Sequence, residues 1–200
     1  MIKKEPDILR RRLKEAMVYF ARELNHPVKT TMWKVLGELD FRHFEQTGVP
    51  VTFVHYKTDK YGPVPQELHD EITVHEDVVL PDDMRDALRT SKEKYEVDNE
   101  KKPKFCITFH ALRKPDLSIF TPRQQRLMGE IADMYKFTSA KDAAHASHEP
   151  GKPWTLTVKR KGLGAYIEYL DLITKKSKIN RAEAAEKMSE MLAFQHNHPL

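Results

Sequence analysis

Between residues 7 and 46 apolar side chains recur at helical spacing, and the pattern is broken once, by His26-Pro27. Leu9, Leu13, Met17, Phe20 and Leu24 fall on one face of residues 7–24, with charges on the other, which is the period of an amphipathic helix. Met32, Val35, Leu36, Leu39 and Phe44 repeat it from Thr31 to about Gln46. Gly48 then offers a natural stop, because glycine tolerates the left-handed backbone of a helix C-cap. Two apolar stripes joined by so few residues are buried together only if the helices fold back on one another. An antiparallel helix pair is the expected frame.

Past Gly48 the period shortens to two. Val51, Phe53 and His55 alternate with Thr52, Val54 and Tyr56, which predicts a strand over residues 51–58. From Asp59 to Pro65, Gly62 with Pro63 and Pro65 sets a rigid turn, ahead of a short helical segment from Gln66 to Ile72. Pro81-Asp82-Asp83 places proline and acids where a helix begins, so a helix is expected to about Ser91. Residues 93–98 and 104–112 alternate as the strands of a hairpin, joined by 98–103. Thr121-Pro122-Arg123-Gln124 is a capping-box helix start, and Leu127, Ile131 and Met134 supply its apolar face. Ser139 to Asp142 opens a short helix ending near His148, before Pro150-Gly151. Two further helices are expected at about 163–175 and 181–195, the second capped by Asn180 and Glu183. The fold class is α+β, mainly α-helical, with a helical core and a small antiparallel β-sheet or hairpin.

The chain has 200 residues, about one domain's worth. Its net charge of +4 hides a segregation, because residues 51–100 alone sum to −7. No apolar run approaches the roughly 18–20 residues that span a bilayer, and the N-terminal residues lack the apolar stretch of a secretory signal, so a cytoplasmic protein is expected. The single cysteine, Cys106, sits between Phe105 and Ile107 in a strand pattern, where a buried thiol acts as a small hydrophobe.

Motifs for catalysis are thin. Ten histidines invite a metal reading, with His145 and His148 at i, i+3 as the tightest group, yet no His-Glu-x-x-His occurs and the pair His196 and His198 sits at the chain end. Seven glycines form no phosphate cradle and no nucleophile elbow. No catalytic residue, metal or cofactor is expected, and no membrane partner. Three basic runs, Arg10-Arg11-Arg12-Leu13-Lys14, Lys159-Arg160-Lys161 and Lys175-Lys176 with Lys178, leave a nucleic-acid-binding regulator as an alternative. A metal-dependent hydrolase through His145 and His148 is the weaker one.

The order of pieces adds a resemblance. Lys34-Val35-Leu36, Leu39-Asp40-Phe41, His43-Phe44 and Thr47-Gly48, then Tyr61-Gly62-Pro63-Val64-Pro65 with Glu67-Leu68, then Thr121 to Tyr135, then Ser147-His148-Glu149-Pro150 with Pro153-Trp154, together resemble the Panacea domain of SocA-like antitoxins, a phage-associated family. The match covers about residues 8–155. It implies a Panacea-like domain over 1–158; residues 159–200, which the motifs do not cover, are expected to form a C-terminal helical extension packed on the same domain. It also implies a non-enzymatic antitoxin of a toxin–antitoxin system, prophage-borne ones included, that neutralises a cognate toxin by direct protein–protein binding. Some members hand the toxin to a cellular protease.

The family-motif residues, Asp40, His43, Tyr61, Gly62, Pro63, Pro65, His148 and Trp154, are the candidate partner-binding set. Each also has a structural reading. Asp40 and His43 can pair with each other or cap the following loop, Gly62 and the prolines fix a turn, and His148 and Trp154 can pin the late loop to the core. For the partner surface, the acidic 67–100 region and the Tyr61–Pro65 loop are the two options, set against a basic toxin face.

Overall fold

A computed structural model describes residues 8–74, 77–95, 104–175 and 177–197. Helix α1 (Ile8–Glu23) and helix α2 (Lys29–Thr47) form the expected pair, but α2 is the centre of the molecule rather than one half of a frame. It is touched by α1, by the hairpin β1 (Tyr56–Asp59) with β2 (Gly62–Pro65), by β6 (Lys104–Ala111), and by α4 (Pro122–Tyr135) and α5 (Ala140–Ser147). Met32, Trp33, Val35, Leu36, Leu39, Phe41 and Phe44 are therefore buried around its whole circumference. So are three groups with a charge or an ionisable ring, Lys34, Asp40 and His43.

Three two-stranded antiparallel pairs occur among the described residues, which confirms a mainly helical α+β fold. β1 pairs with β2 from Tyr56↔Pro65 to Asp59↔Gly62, so the expected turn is itself a hairpin. Helix α3 (Gln66–Ile72) follows, then the short strands β3 (Thr73–Val74) and β4 (Asp77–Val78). The longest pair is β5 (Leu88–Tyr95) with β6, in register from Leu88↔Ala111 to Tyr95↔Lys104. The connection expected at 98–103 lies outside the described residues.

Local chemistry explains the ends that were legible. Gly48, at φ +79°, donates its N–H to the Phe44 carbonyl and closes α2. Thr121 and Gln124 exchange both capping-box hydrogen bonds at α4, and the Ser139 and Asn180 side chains accept from Asp142 N–H and Glu183 N–H at the starts of α5 and α7 (Arg181–Asn197).

Four expectations are corrected. The strand over 51–58 shrinks to β1, because the Asp40 carboxylate takes the N–H groups of Val51 and Thr52, and Phe53 turns to φ +58°, a left-handed conformation no strand continues through. The helix from Pro81 to Ser91 is a single turn: Ala87 and Leu88 donate back to Met84, and β5 then starts at Leu88 to meet its partner strand. The helix over 163–175 does not form. Gly162 and Gly164 both take positive φ, at 87° and 82°, and residues 165–167 run instead along the free edge of β1, with Thr58 N–H on the Ala165 carbonyl at 2.9 Å and Ile167 N–H on the Tyr56 carbonyl at 2.8 Å. A 3₁₀ turn, Tyr169–Leu172, follows. The helix of this region, α6 (Pro153–Lys161), starts ten residues earlier, with Pro153 at its first turn. Cys106 is only partly buried in β6 rather than enclosed.

Much of the charge segregation is resolved by folding. Arg10 forks onto Glu71 at 2.7 and 2.8 Å and onto Asp83 at 2.8 and 3.1 Å, Lys14 reaches the Asp83 carbonyl at 3.0 Å and Asp86 at 3.4 Å, and Asp77 holds Lys92 at 2.6 Å. The acidic block thus tethers α1 to the segment ahead of β5. Buried Glu15 accepts both arms of Arg113, at 2.8 and 2.5 Å, and the Asp116 N–H at 2.7 Å.

At the far end, Ile179 and Ala184 close over the C-cap of α2. A Cβ at position 48 would lie 2.7 Å from Ile179 Cδ1 and 3.0 Å from the Ala184 backbone. Gly48→Ala combines that overlap with a strained φ and is expected to cost about 2 kcal/mol in urea unfolding. A loss under about 0.5 kcal/mol would mean that α7 is held by other contacts.

Candidate functional site

The tip of the β1–β2 hairpin, Asp59 to Gly62, is clamped from below by three helices. From α2, the Lys34 ammonium donates to the Pro63 carbonyl at 2.9 Å. From α6, the Trp154 indole N–H donates to the Asp59 carbonyl at 2.9 Å. His148, at the C-cap of α5, stacks on the Trp154 ring with centroids 3.9 Å apart and planes 28° from parallel. Gly62 makes the close approach possible. At φ +103° its backbone lies so near that a Cβ would overlap the Ser147 hydroxyl and fall 2.7 Å from Lys34 Cε. Beneath the tip only a narrow recess of about 10 Å³ is left between Lys34, Pro63, Tyr135, Ser147, Lys152 and Trp154. Lys152 closes its rim with a 2.7 Å ion pair to Glu38.

What the clamp leaves outside is Tyr61, 57% exposed, with the Lys60 ammonium 5.3 Å from its ring centre. The flanking carbonyls are fixed by Lys34 and Trp154, so the hairpin presents this aromatic ring to solvent in an ordered position.

Lys34 is the chemically unusual group. It is 2% exposed, and no carboxylate lies within ion-pairing distance in the described residues. Burial pulls its pKa from the usual lysine range down to about 7, against a weaker pull upward from Asp59. His148 is held below the ordinary histidine range by burial and by the neighbouring Lys34 charge, and its Nε2 is buried without a partner.

Behind the hairpin the candidates Asp40 and His43 serve the backbone. Asp40 is fully buried and accepts from Val51 N–H at 2.8 Å, from Thr52 N–H at 2.7 Å, from the Thr52 hydroxyl, and from the Tyr56 hydroxyl at 3.0 Å. Burial raises its pKa to about 6, with the four donors pulling the other way. His43 Nδ1 faces the Val49 carbonyl at 2.6 Å, an acceptor, so the ring donates from Nδ1. Burial lowers its pKa. Both side chains cap the loop after α2 and neither pairs with the other.

The structure therefore gathers Tyr61, Gly62, Pro63, His148 and Trp154 at one place, keeps Pro65 at the base of the same hairpin, and sets Asp40 and His43 behind it. Lys34 and Ser147 belong to the cluster although neither stood among the candidate residues. The signal for Lys34 was a lysine flanked by Met32, Trp33, Val35 and Leu36, a charge on a helix with no solvent face.

The other constellations are used differently. In the run 10–14, Arg10 and Lys14 are tied to carboxylates, Arg11 lies 3.8 Å from Asp116, and Arg12 is half-buried, so little of that charge faces outward. Lys159, Arg160 and Lys161 occupy the last turn of α6, where positive charge offsets the helix dipole, and Lys161 pairs with Asp171 at 3.4 Å. His145 is exposed while His148 is stacked on Trp154, and among the described residues no three His, Cys, Asp or Glu side chains converge as a metal site would require. Lys176 and His198 lie outside the described residues. No described helix is long and apolar enough to cross a membrane.

Two substitutions test these assignments. Asp40→Ala leaves two backbone N–H groups and two hydroxyls without their acceptor and is expected to destabilise the fold by roughly 3 kcal/mol in denaturant unfolding. For Lys34, the folded pKa lies below the unfolded one, so the unfolded chain binds more protons between about pH 7 and 10. Its contribution to stability grows as pH rises through that window and is lost as pH falls through about 7. Unfolding titrations are expected to show a component of up to roughly 1.4 kcal/mol per pH unit that disappears in Lys34→Met. Equal pH slopes for the two proteins would refute the assignment.

The comparisons with known proteins bear on the same elements. The family model described as "Antitoxin SocA-like, Panacea domain" matches residues 32–155, from the first turn of α2 to the residue after Trp154. No curated protein and no solved structure matches.

Proposed function

The chain belongs to the family of SocA-like antitoxins with a Panacea domain, and from that premise we propose that it is a cytoplasmic antitoxin that neutralises a cognate toxin by direct protein contact rather than by catalysis. The observation that carries the reading is the coincidence of the matched span with the clamp: Lys34, the Asp59–Pro63 tip, Ser147, His148 and Trp154 all lie within residues 32–155.

The clamp suits recognition. Binding is weakened when a loop must first be ordered, and here the backbone on both sides of Tyr61 is already tied down. A rigid exposed tyrosine offers a large contact area at small entropic cost. Of the two partner surfaces considered from sequence, this loop is favoured over the acidic block, because Glu71, Asp77, Asp83 and Asp86 are engaged by Arg10, Lys14 and Lys92.

The test is co-expression with the protein encoded by the adjoining gene. That protein alone is expected to arrest growth, the present chain to restore it, and the two to co-purify. In Tyr61→Ala, with its thermal midpoint unchanged, affinity is expected to fall by about tenfold or more. A harmless neighbour, or one that is toxic and not rescued, would remove the antitoxin reading.

A further inference from the structure

Residues beyond the matched span build a second concavity. The strand-like segment 165–167 against β1, the 3₁₀ turn after it and the first half of α7 form a groove of about 380 Å³ with the loop before β1 and the start of α3. One wall, His55 and Glu67, comes from the family domain. The other, Tyr166, Glu168, Leu170 and Met188, comes from the C-terminal segment, outside residues 32–155.

Its chemistry is one-sided. The floor is apolar and firm: Ile167 and Tyr169 are buried, and the Tyr169 hydroxyl is tied to the Val54 carbonyl at 2.6 Å. Tyr166 is 45% exposed along the side, and Met188 packs only partly against the core. Both formal charges among the lining residues are carboxylates, Glu67 and Glu168, in a chain whose net charge is +4. Glu67 lies 2.9 Å from His55, with both side chains about two-thirds exposed, and it stands apart from the acidic residues that α1 engages. No lysine or arginine lines the groove. The groove is also continuous with the hairpin site, since Lys57 of β1 pairs with Tyr166 and its ammonium lies 5.9 Å from that ring.

We propose that this groove receives a lysine- or arginine-bearing apolar segment of the toxin, and that the C-terminal segment thereby selects which toxin is bound. The inference rests on the antitoxin reading. Charge complementarity names the occupant: the aliphatic part of a basic side chain packs on Met188 and Tyr166, and its cationic head meets Glu67 and Glu168. An acidic segment would meet two like charges.

The experiment measures affinity for an inactive variant of the adjoining gene's toxin, with wild type, with Glu67→Lys/Glu168→Lys, and with Asp133→Lys on α4 as a charge control. Both reversed positions are exposed, so the fold is expected to stay intact, checked by circular dichroism and thermal midpoint. The double variant is expected to bind about tenfold or more weakly and to lose most of the salt dependence, while the control stays within about twofold. Met188→Ala is the second probe and, because it removes apolar contact and no charge, is expected to weaken binding without altering the salt dependence. If wild type binds and rescues while both groove variants do so equally well, the groove inference is overturned and the antitoxin reading stands. If wild type itself neither binds nor rescues, both fall. If the double variant instead dissociates a dimer in gel filtration and leaves toxin binding unchanged, the occupant is a second copy of this chain and the proposal is wrong.

Discussion

The Asp40 carboxylate is the constraint on which the other arrangements rest. A fully buried anion at the middle of α2 is costly unless its lone pairs are filled, and here they are filled by one short stretch of chain, Val51 to Tyr56. That single side chain decides where the chain stops being a loop and where β1 begins. It also holds Tyr56 beside Phe41, whose rings meet edge to face at 4.9 Å. With Tyr56 fixed, the β1–β2 hairpin has one position over α2, and Lys34, two turns before Asp40 on the same helix, lies beneath its tip. The position of Tyr61 is thus referenced to a helix in the core.

Sequence patterns reached the parts of this fold whose causes are local. The capping box at Thr121, the glycine stop at Gly48 and the Ser139 and Asn180 caps each depend on residues three or four apart. They failed where a distant group overrode the local period. Alternation over 51–58 looked like a strand because nothing in it reveals that Asp40, eleven residues earlier, competes for its N–H groups. The helix expected over 163–175 is displaced by the pairing of 165–167 with β1, a partner more than a hundred residues away. Of the candidate set, Tyr61, Gly62, Pro63, His148 and Trp154 gather at the hairpin, while Lys34 and Ser147 stood outside it, because their place depends on how near the Gly62 backbone comes.

On the proposed reading, the two faces joined at β1 would divide the labour of recognition between them. The clamped tip belongs to the matched span, and its geometry is set by burial and backbone hydrogen bonds. The groove is mostly made of chain outside that span, and its charge comes from exposed side chains, Glu67 and Glu168, that can change without disturbing the core. A common anchor beside a changeable wall lets one scaffold meet different partners, with rejection of the wrong ones by like charge as important as attraction of the right one.

The pairing of residues 165–167 with β1 carries a consequence for biosynthesis. Until those residues leave the ribosome, the outer edge of β1 has open N–H and C=O groups, because the chain that satisfies them is made more than a hundred residues after the strand itself. The nascent protein therefore carries an uncovered strand edge through the synthesis of most of its length. Any truncation ahead of Ala165 leaves it in that state, ready to add a strand from another chain and aggregate, even with α1 to α6 complete.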